Sequence, residues 1–550
     1  MGRDSIKHLK LFLILSLILF SPVKARAEGL ALTPPMGWNS WNAFNMGINE
    51  TVIKATADQM VANGMRDAGY VYLNLDDGWQ ISRDAKGEIQ AAPDQFPSGM
   101  KALGDYLHSK GLKFGIYTCA GDMTCGKRPG SKGHEKQDTA TYASWGVDYI
   151  KVDWCSTDGL KSQTQYALFR DGIKASGRPM ILSLCNWGVD KPSLWGRQMG
   201  QLWRTTGDLL PCWDCKTDWG GSGIISILDQ QIGLESYAGP GGWNDPDMLQ
   251  VGNGALTLEE SRSHFNLWCV LAAPLIAGNK LTHMKPEVRE ILLNQEAIAV
   301  DQDPLGKEGT RIKSFGDGRE VWAKPLSGGA WAVCLFNRGS TSANVEVLWA
   351  DLGLKEERMK VRDLWARRDL GVFDKGYSVS VLPHGTVLLK LREDLPTYDA
   401  PSDTWRIRPG GEAFTDHSGK VWSEDKDFEG GQTVETVQPV TAKEDHELYQ
   451  TERWGDDFSY VFPVKPGKYK VRLKFTEAYV KEKGQRVFDI IINDKKVLAN
   501  FDILDEAKGS LAGIDKSFKD IQPDSKGLIK IRFVATVQNA KVCAIEITKQ

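Results

Sequence analysis

The stretch YIKVDWC, Tyr149 to Cys155, starts with apolar residues and then sets Lys151, Asp153 and Cys155 at alternate positions. Alternate residues of an extended strand share a face. A lysine and an aspartate therefore project together from the end of a mostly apolar strand. That pattern fits either the edge of a core or the floor of a site, and the neighbouring sequence decides between them.

On both sides, short apolar runs alternate with longer stretches of helical periodicity. The runs are PMGWNSW, VYLNLDD, KFGIYTC, YIKVD, MILSLCNW, QLWRTTGD, GGWNDPDML and APLIAGN, eight in all, and amphipathic segments such as NETVIKATADQMVANGM and TATYASWG separate them. Repeated strand–helix units imply a parallel sheet, and eight of them imply a closed (β/α)8 TIM barrel. An open doubly wound sheet would need a glycine-rich phosphate turn after its first strand, and GWNSWN is not one. The barrel is expected over 28–305. Short alternating strands with Gly and Asn turns over 306–393 predict an antiparallel β-sandwich domain. A polar, proline-bearing linker follows at 394–404. Strand signals from YVFPV to VCAIEI predict a second β-sandwich over 405–550.

Lysine, arginine and acidic residues are mixed along the 550-residue chain, and the formal net charge is −3. No basic stripe favours nucleic acid. Residues 1–27 read as a signal peptide, with a charged start, the apolar segment LFLILSLILF and Ala25-Arg26-Ala27 at the cleavage point. The apolar segment is about ten residues, too short to span a bilayer. The mature chain is therefore expected to be exported, periplasmic or extracellular, with no membrane span. Export permits disulfides, and nine cysteines leave at least one unpaired. Cys212 and Cys215, in PCWDC, read as a local loop disulfide.

Active sites of parallel barrels lie at the C-terminal strand ends. Those ends carry Trp38 to Trp41, Asp76-Asp77, Cys119, Asp153, Cys185-Asn186-Trp187, Arg204 with Asp208, and Asp245 with Asp247. Carboxylates and indoles gathered at one rim are the tools of glycoside hydrolysis, in which one acid attacks the anomeric carbon and another protonates the leaving group. Lys151, two residues before Asp153, is expected to keep Asp153 ionised as nucleophile. Asp208, in a glycine-bearing turn, is expected to be the acid and then the base. No cofactor and no metal is expected.

At this point PPMGWNSWNAF, LNLDDGW, KGLKFGIY, WGVDYIKVDWC, WRTTGD and AGPGGWNDPDML resemble the glycoside hydrolase family 27 α-galactosidases, or melibiases, over roughly 30–391. The resemblance implies a retaining exo-glycosidase acting on terminal α-D-galactose of oligo- or polysaccharides, its catalytic carboxyls about 5–5.5 Å apart. It implies Asp153 as nucleophile and Asp208 as acid/base. Asp76, Asp77 and Lys151 would hold the 3-, 4- and 6-hydroxyls. Trp38 would form the platform under the ring. Cys185, Asn186, Trp187 and Arg204 would surround the 2-hydroxyl, with Asp247 a further pocket residue. A family disulfide is implied between Cys125 and Cys155.

Some positions depart from the family pattern. Met46 and Gly78 stand where many relatives join two cysteines. Cys119 replaces a frequent aspartate and offers Cys125 a rival partner. Asn186 replaces a frequent glutamate. The neighbouring Val189 and the aspartate at Asp76 favour galactose over the two alternatives, α-N-acetylgalactosaminides and β-L-arabinopyranosides. A non-catalytic glycan-binding barrel is the remaining alternative. Trp213, in the insertion LPCWDCKTDWGG after Asp208, is weighed as an aglycone wall against a core-packed indole. The C-terminal segment resembles malectin-like carbohydrate-binding modules, through RIRPGGEAFTDHSGKVWSEDKDFEGG, LYQTERWGDDFSYVFPV and GQRVFDIIINDKKVLANFDI. That resemblance implies a second glycan site, with Tyr449, Trp454 and Tyr479 as stacking candidates.

Overall fold

The computed structural model describes residues 29–354, 358–393, 401–442 and 445–550. The expected signal peptide and positions 394–400 of the expected linker lie outside them. The chain forms two compact units that divide at Asp394/Leu395.

The first unit begins with eight parallel strands: β1 Met36–Asn39, β2 Tyr72–Asn74, β3 Lys113–Cys119, β4 Tyr149–Asp153, β5 Ile181–Cys185, β6 Leu202–Arg204, β7 Trp243–Asp245 and β8 Leu275–Ala277. Each lies beside its successor, and β8 lies beside β1, so the order is that of a TIM barrel and not of a doubly wound sheet. Closure between β7 and β8 comes from a single bridge, Leu249 to Ala277. Many strands are only three residues long, yet the expected runs all supply one.

Alternation sorts the side chains of β4. Ile150 and Val152 pack outward with the helices, in the same core as Phe114, Ile116 and Leu184. Tyr149 joins Tyr72, Ile181 and Leu202 in a separate cluster at the N-terminal end of the strands. Tyr72 and Tyr149 meet there with ring centroids 5.7 Å apart. Lys151 and Asp153 share the face of Tyr149 and rise toward the opposite rim. Helices complete the outer layer. In Glu50–Ala62, capped by the Asn49 side chain on the Val52 N–H at 2.9 Å, Ile53, Ala57 and Met60 fall on the buried face. Leu258–Val270 starts with a capping box between Thr257 and Glu260.

Beyond the barrel, six antiparallel strands form a sheet whose inner face, including Trp322, Cys334 and Phe336, joins the barrel core. Its other face packs on the pair Ala343–Leu348 and Gly376–Val381 through Val333, Leu335, Val345 and Leu389. Glu308 is buried at this joint, where its carboxylate accepts the Asn244 Nδ2–H at 2.7 Å. Burial pushes its pKa up to about 8.

Among the described residues the second unit is a β-sandwich with sheets of four, five and three strands and a two-stranded hairpin. In Leu528–Val537, Ile529, Ile531 and Phe533 enter the core while Lys530 and Arg532 face out. Trp405, Phe462, Phe488 and Ile545 complete that core. Tyr449 is buried and donates its hydroxyl to Asp515 at 2.7 Å. Trp454 is half-buried, and Tyr479 is 74% exposed.

Glu308 generates a stability prediction. A carboxyl whose folded pKa lies above the unfolded value of 4.5 favours folding below that value, and the advantage is lost as pH rises toward 8. Glu308→Gln removes the titration. Its unfolding free energy should match the parent's near pH 4.5 and exceed it at pH 9, by about 5 kcal/mol at most. Parallel curves from pH 4.5 to 9 would refute this account of Glu308.

Candidate active site

The cavity at the C-terminal end of the barrel encloses about 470 Å³. Asp76, Asp77, Lys151, Asp153, Cys185, Trp187, Arg204, Asp208 and Asp247 all line it. They come from the ends of five of the eight strands, β2, β4, β5, β6 and β7, with Asp76, Asp77, Trp187, Asp208 and Asp247 on the loops just beyond.

Two networks organise these groups. In the first, Lys151 Nζ donates to Asp76 Oδ2 at 2.7 Å, and Asn39 Nδ2 donates to the same oxygen at 2.7 Å. Asp76 Oδ1 accepts the Asp77 N–H at 2.9 Å. Asp77 Oδ2 accepts the Gly126 N–H at 2.7 Å, whereas Asp77 Oδ1 is buried with no hydrogen-bond partner among the described residues. Burial alone would discharge Lys151, but the Asp76 carboxylate more than offsets it and the ammonium stays charged.

In the second network Arg204, 3% exposed, spans two acids. Its Nη1 meets Asp247 Oδ1 at 3.0 Å and its Nη2 meets Asp208 Oδ1 at 3.0 Å. Asp247 holds the other side of Asp208 as well, because its Oδ2 accepts the Leu209 N–H at 2.8 Å. The backbone of Asp247 is left-handed, φ 86°, and Asp245 Oδ1 accepts its N–H at 2.9 Å. A non-glycine residue in that conformation is strained and persists only where its surroundings impose it.

The two expected catalytic acids differ electrostatically. Asp153 is 7% exposed. Burial raises its pKa to about 6, against the opposing effects of Lys151, the Trp154 N–H and the Tyr117 hydroxyl. The last two donate to it at 2.8 Å each. Lys151 does lower this pKa, as expected, but its ion pair goes to Asp76 and desolvation outweighs its pull on Asp153. Asp208 keeps 47% of its side-chain surface exposed. The surrounding protein favours its neutral form, yet the charges of Arg204 and Lys151 outweigh this and its pKa lies below the ordinary aspartate value.

Two expected pocket residues are not brought to the cavity. Trp38 is wholly buried beside Met36 in the outer core, and its indole N–H donates to Asn279 O at 2.8 Å. Asn39 takes the inward face of β1, so alternation turns Trp38 the other way. Asn186 is also wholly buried, and its Nδ2 braces the following turn on Val189 O at 2.5 Å. Trp41 lines the cavity instead, with Trp187 and Trp219. Sequence reading missed Tyr117, although KFGIYTC places it one alternate step before Cys119 on an inward face. Cys125 pairs with Cys155, and Cys212 with Cys215. Cys119 is a buried thiol whose S–H donates to Cys155 O at 3.1 Å. Met46 and Gly78 do lie side by side: a Cβ on Gly78 would sit 3.1 Å from the Met46 Cα.

Comparison with known proteins places the chain in a family. Residues 33–303 match the family model described as alpha galactosidase A, residues 316–391 the alpha galactosidase C-terminal beta sandwich domain, and residues 403–548 the malectin domain. Alpha-galactosidase A of Cellvibrio japonicus is 46% identical over 402 residues, 70% of this chain and 99% of that protein. Alpha-galactosidase 3 of Arabidopsis thaliana is 49% identical over 62% of this chain and 78% of its own. Among solved structures, alpha-galactosidase I from Mortierella vinacea superposes with a TM-score of 0.65 at 35% identity, covering 67% of this chain and 99% of its own. A β-L-arabinopyranosidase of glycoside hydrolase family 27 from Geobacillus stearothermophilus does so with 0.60 at 26%, covering 67% and 98%.

The Arg204–Asp247 pair should be costly to break from one side. Asp247→Ala leaves the buried Arg204 Nη1 without its carboxylate and the Leu209 N–H without its acceptor, and should destabilise the barrel by about 3 kcal/mol. Urea unfolding followed by barrel tryptophan fluorescence measures this. A loss within error of zero would mean the pair does not support the fold.

Proposed function

The chain belongs to the α-galactosidase family, and from that premise we propose that it hydrolyses terminal α-D-galactosides with retention of anomeric configuration. Asp153 serves as nucleophile and Asp208 as acid/base. The observation that carries this reading is that Asp153 and Asp208, polarised in opposite directions, open onto one cavity of about 470 Å³. A monosaccharide needs such a pocket, with a few fixed polar groups to orient it. Asp76 and Lys151 are locked together as a donor–acceptor pair suited to vicinal hydroxyls. Asp77 Oδ1 is the buried acceptor that a further hydroxyl would satisfy.

The chemistry follows from the proton count. Attack by Asp153 on the anomeric carbon requires its carboxylate, and departure of the leaving group requires a proton on Asp208. Water then enters with Asp208 as base, attacks the same carbon and releases Asp153. One proton must therefore reside on the pair. In the resting site it favours Asp153, whose pKa is the higher. A sugar covering the exposed half of Asp208 removes water from it and favours its neutral form, moving the proton to where it is used.

Export from the cytoplasm is part of this reading. It is supported by the apolar N-terminal segment, the two disulfides, and the absence among the described residues of any helix long and apolar enough to cross a membrane. The malectin domain supports a second glycan site, and exposed Tyr479 is an aromatic available for it.

Initial rates on the p-nitrophenyl glycosides of α-galactose, α-N-acetylgalactosamine and β-L-arabinopyranose test the substrate. Galactose should lead clearly, and preference for either rival would overturn the assignment. Asp153→Ala should lower kcat by at least about 10³-fold and leave the fold intact, and undiminished turnover would remove Asp153 from the mechanism.

The pH profile of kcat/KM tracks the singly protonated pair. It should rise through the lowered pKa of Asp208 and fall as pH passes about 6, when the last proton leaves Asp153. A plateau extending beyond pH 8 would contradict the shared proton.

A further inference from the structure

The loop after Asp208 carries two tryptophans that the structure uses differently. Trp213 is packed, stacked on His384 with centroids 4.7 Å apart and edge-on to Phe336 at 5.9 Å. It anchors the loop and is not the aglycone wall that the sequence offered. Trp219 keeps 65% of its surface exposed and yet lines the cavity.

The backbone beneath Trp219 is braced from several directions. Cys212 and Cys215 are joined. Thr217 N–H donates to Gly221 O at 2.9 Å, and Gly221 N–H returns to Thr217 Oγ1 at 2.9 Å. Ser222 N–H donates to Asp208 O at 3.0 Å, and Leu210 N–H donates to Ser222 O at 2.8 Å, so the loop is laced to the backbone of Asp208 itself. A Cβ on Gly221 would lie 2.5 Å from the Trp219 ring. The indole therefore rests against its own loop at a position that only glycine leaves open.

We propose that Trp219 is the platform that stacks a sugar on the leaving-group side of the scissile bond. The inference rests on the reading of the site given above. An acid that protonates the glycosidic oxygen must stand beside the leaving group. The loop bearing Trp219 starts at that acid and is tied to it. The apolar face of a pyranose stacks on an indole, and such stacking favours an exposed ring held rigid by its neighbours. Pro211 and Gly254 continue the same wall of the cavity. Gly254, at φ 57°, has Pro211 within 2.6 Å of where its Cβ would be.

The test compares melibiose, whose leaving group is a hexose, with α-galactosyl fluoride, whose leaving group is a single atom. Trp219→Ala should lower kcat/KM for melibiose about tenfold, mainly through KM, while α-galactosyl fluoride changes less than about twofold. Trp219→Phe should recover most of the loss. Gly221→Ala, which displaces the ring without removing it, should reproduce the selective defect. An equal loss on both substrates, or none on melibiose, would overturn the platform. A parent enzyme that cleaves neither substrate would instead overturn the α-galactosidase reading on which the platform depends.

Discussion

The ion pair between Lys151 and Asp76 is the contact around which the barrel interior is arranged. It joins β4 to the end of β2, and Asn39 brings in β1 on the same oxygen. Placing a lysine and an aspartate inside a barrel is unfavourable unless each finds the other with little freedom to spare. Once they are paired, Asp76 hands its second oxygen to the Asp77 N–H and so fixes the neighbouring acid. Lys151 is then no free counter-ion for Asp153, which sits two residues further along the strand. Burial is the largest influence on Asp153, and it raises that pKa to about 6 despite the remaining pull of Lys151.

Arg204 plays the complementary part on the other wall. It lies between Asp208 and Asp247, and Asp247 reaches past it to the Leu209 N–H. The strained backbone of Asp247, held by Asp245, aims that carboxylate. Asp208 thus hangs from a rigid frame while its own side chain stays half in water. The proposed exchange of a proton at Asp208 would benefit from a fixed backbone and an environment that changes when substrate arrives.

The disulfides act within the same logic. Cys125–Cys155 ties the loop after β3 to the residue two beyond Asp153, and Cys212–Cys215 stiffens the loop that leaves Asp208. Where many relatives are expected to carry another disulfide, Met46 packs against Gly78, so contact replaces the covalent link at that rim. The loops next to the two acids are cross-linked, and the contact beside Asp77 is held by packing.

Much of this was legible in the chain alone. Eight apolar runs separated by helical patterns specified a barrel, because burial on both faces and crossover helices leave few other solutions for parallel strands. Acids at strand ends marked the rim, since unpaired carboxylates are excluded from a core. The sequence also carried the alternation that sends Lys151 and Asp153 inward. It did not carry the phase of so short a strand as β1, which has four residues: whether Trp38 or Asn39 faces the interior depends on which of them meets Asp76. Nor did it say that Lys151 would choose Asp76, 75 positions away, that Tyr117 would reach Asp153, or that Trp219 and not Trp213 would stand at the cavity. Local pattern determines which residues share a face. Partners, pKa values and exposure arise from desolvation and contacts between distant segments, and only the closed barrel brings those segments together.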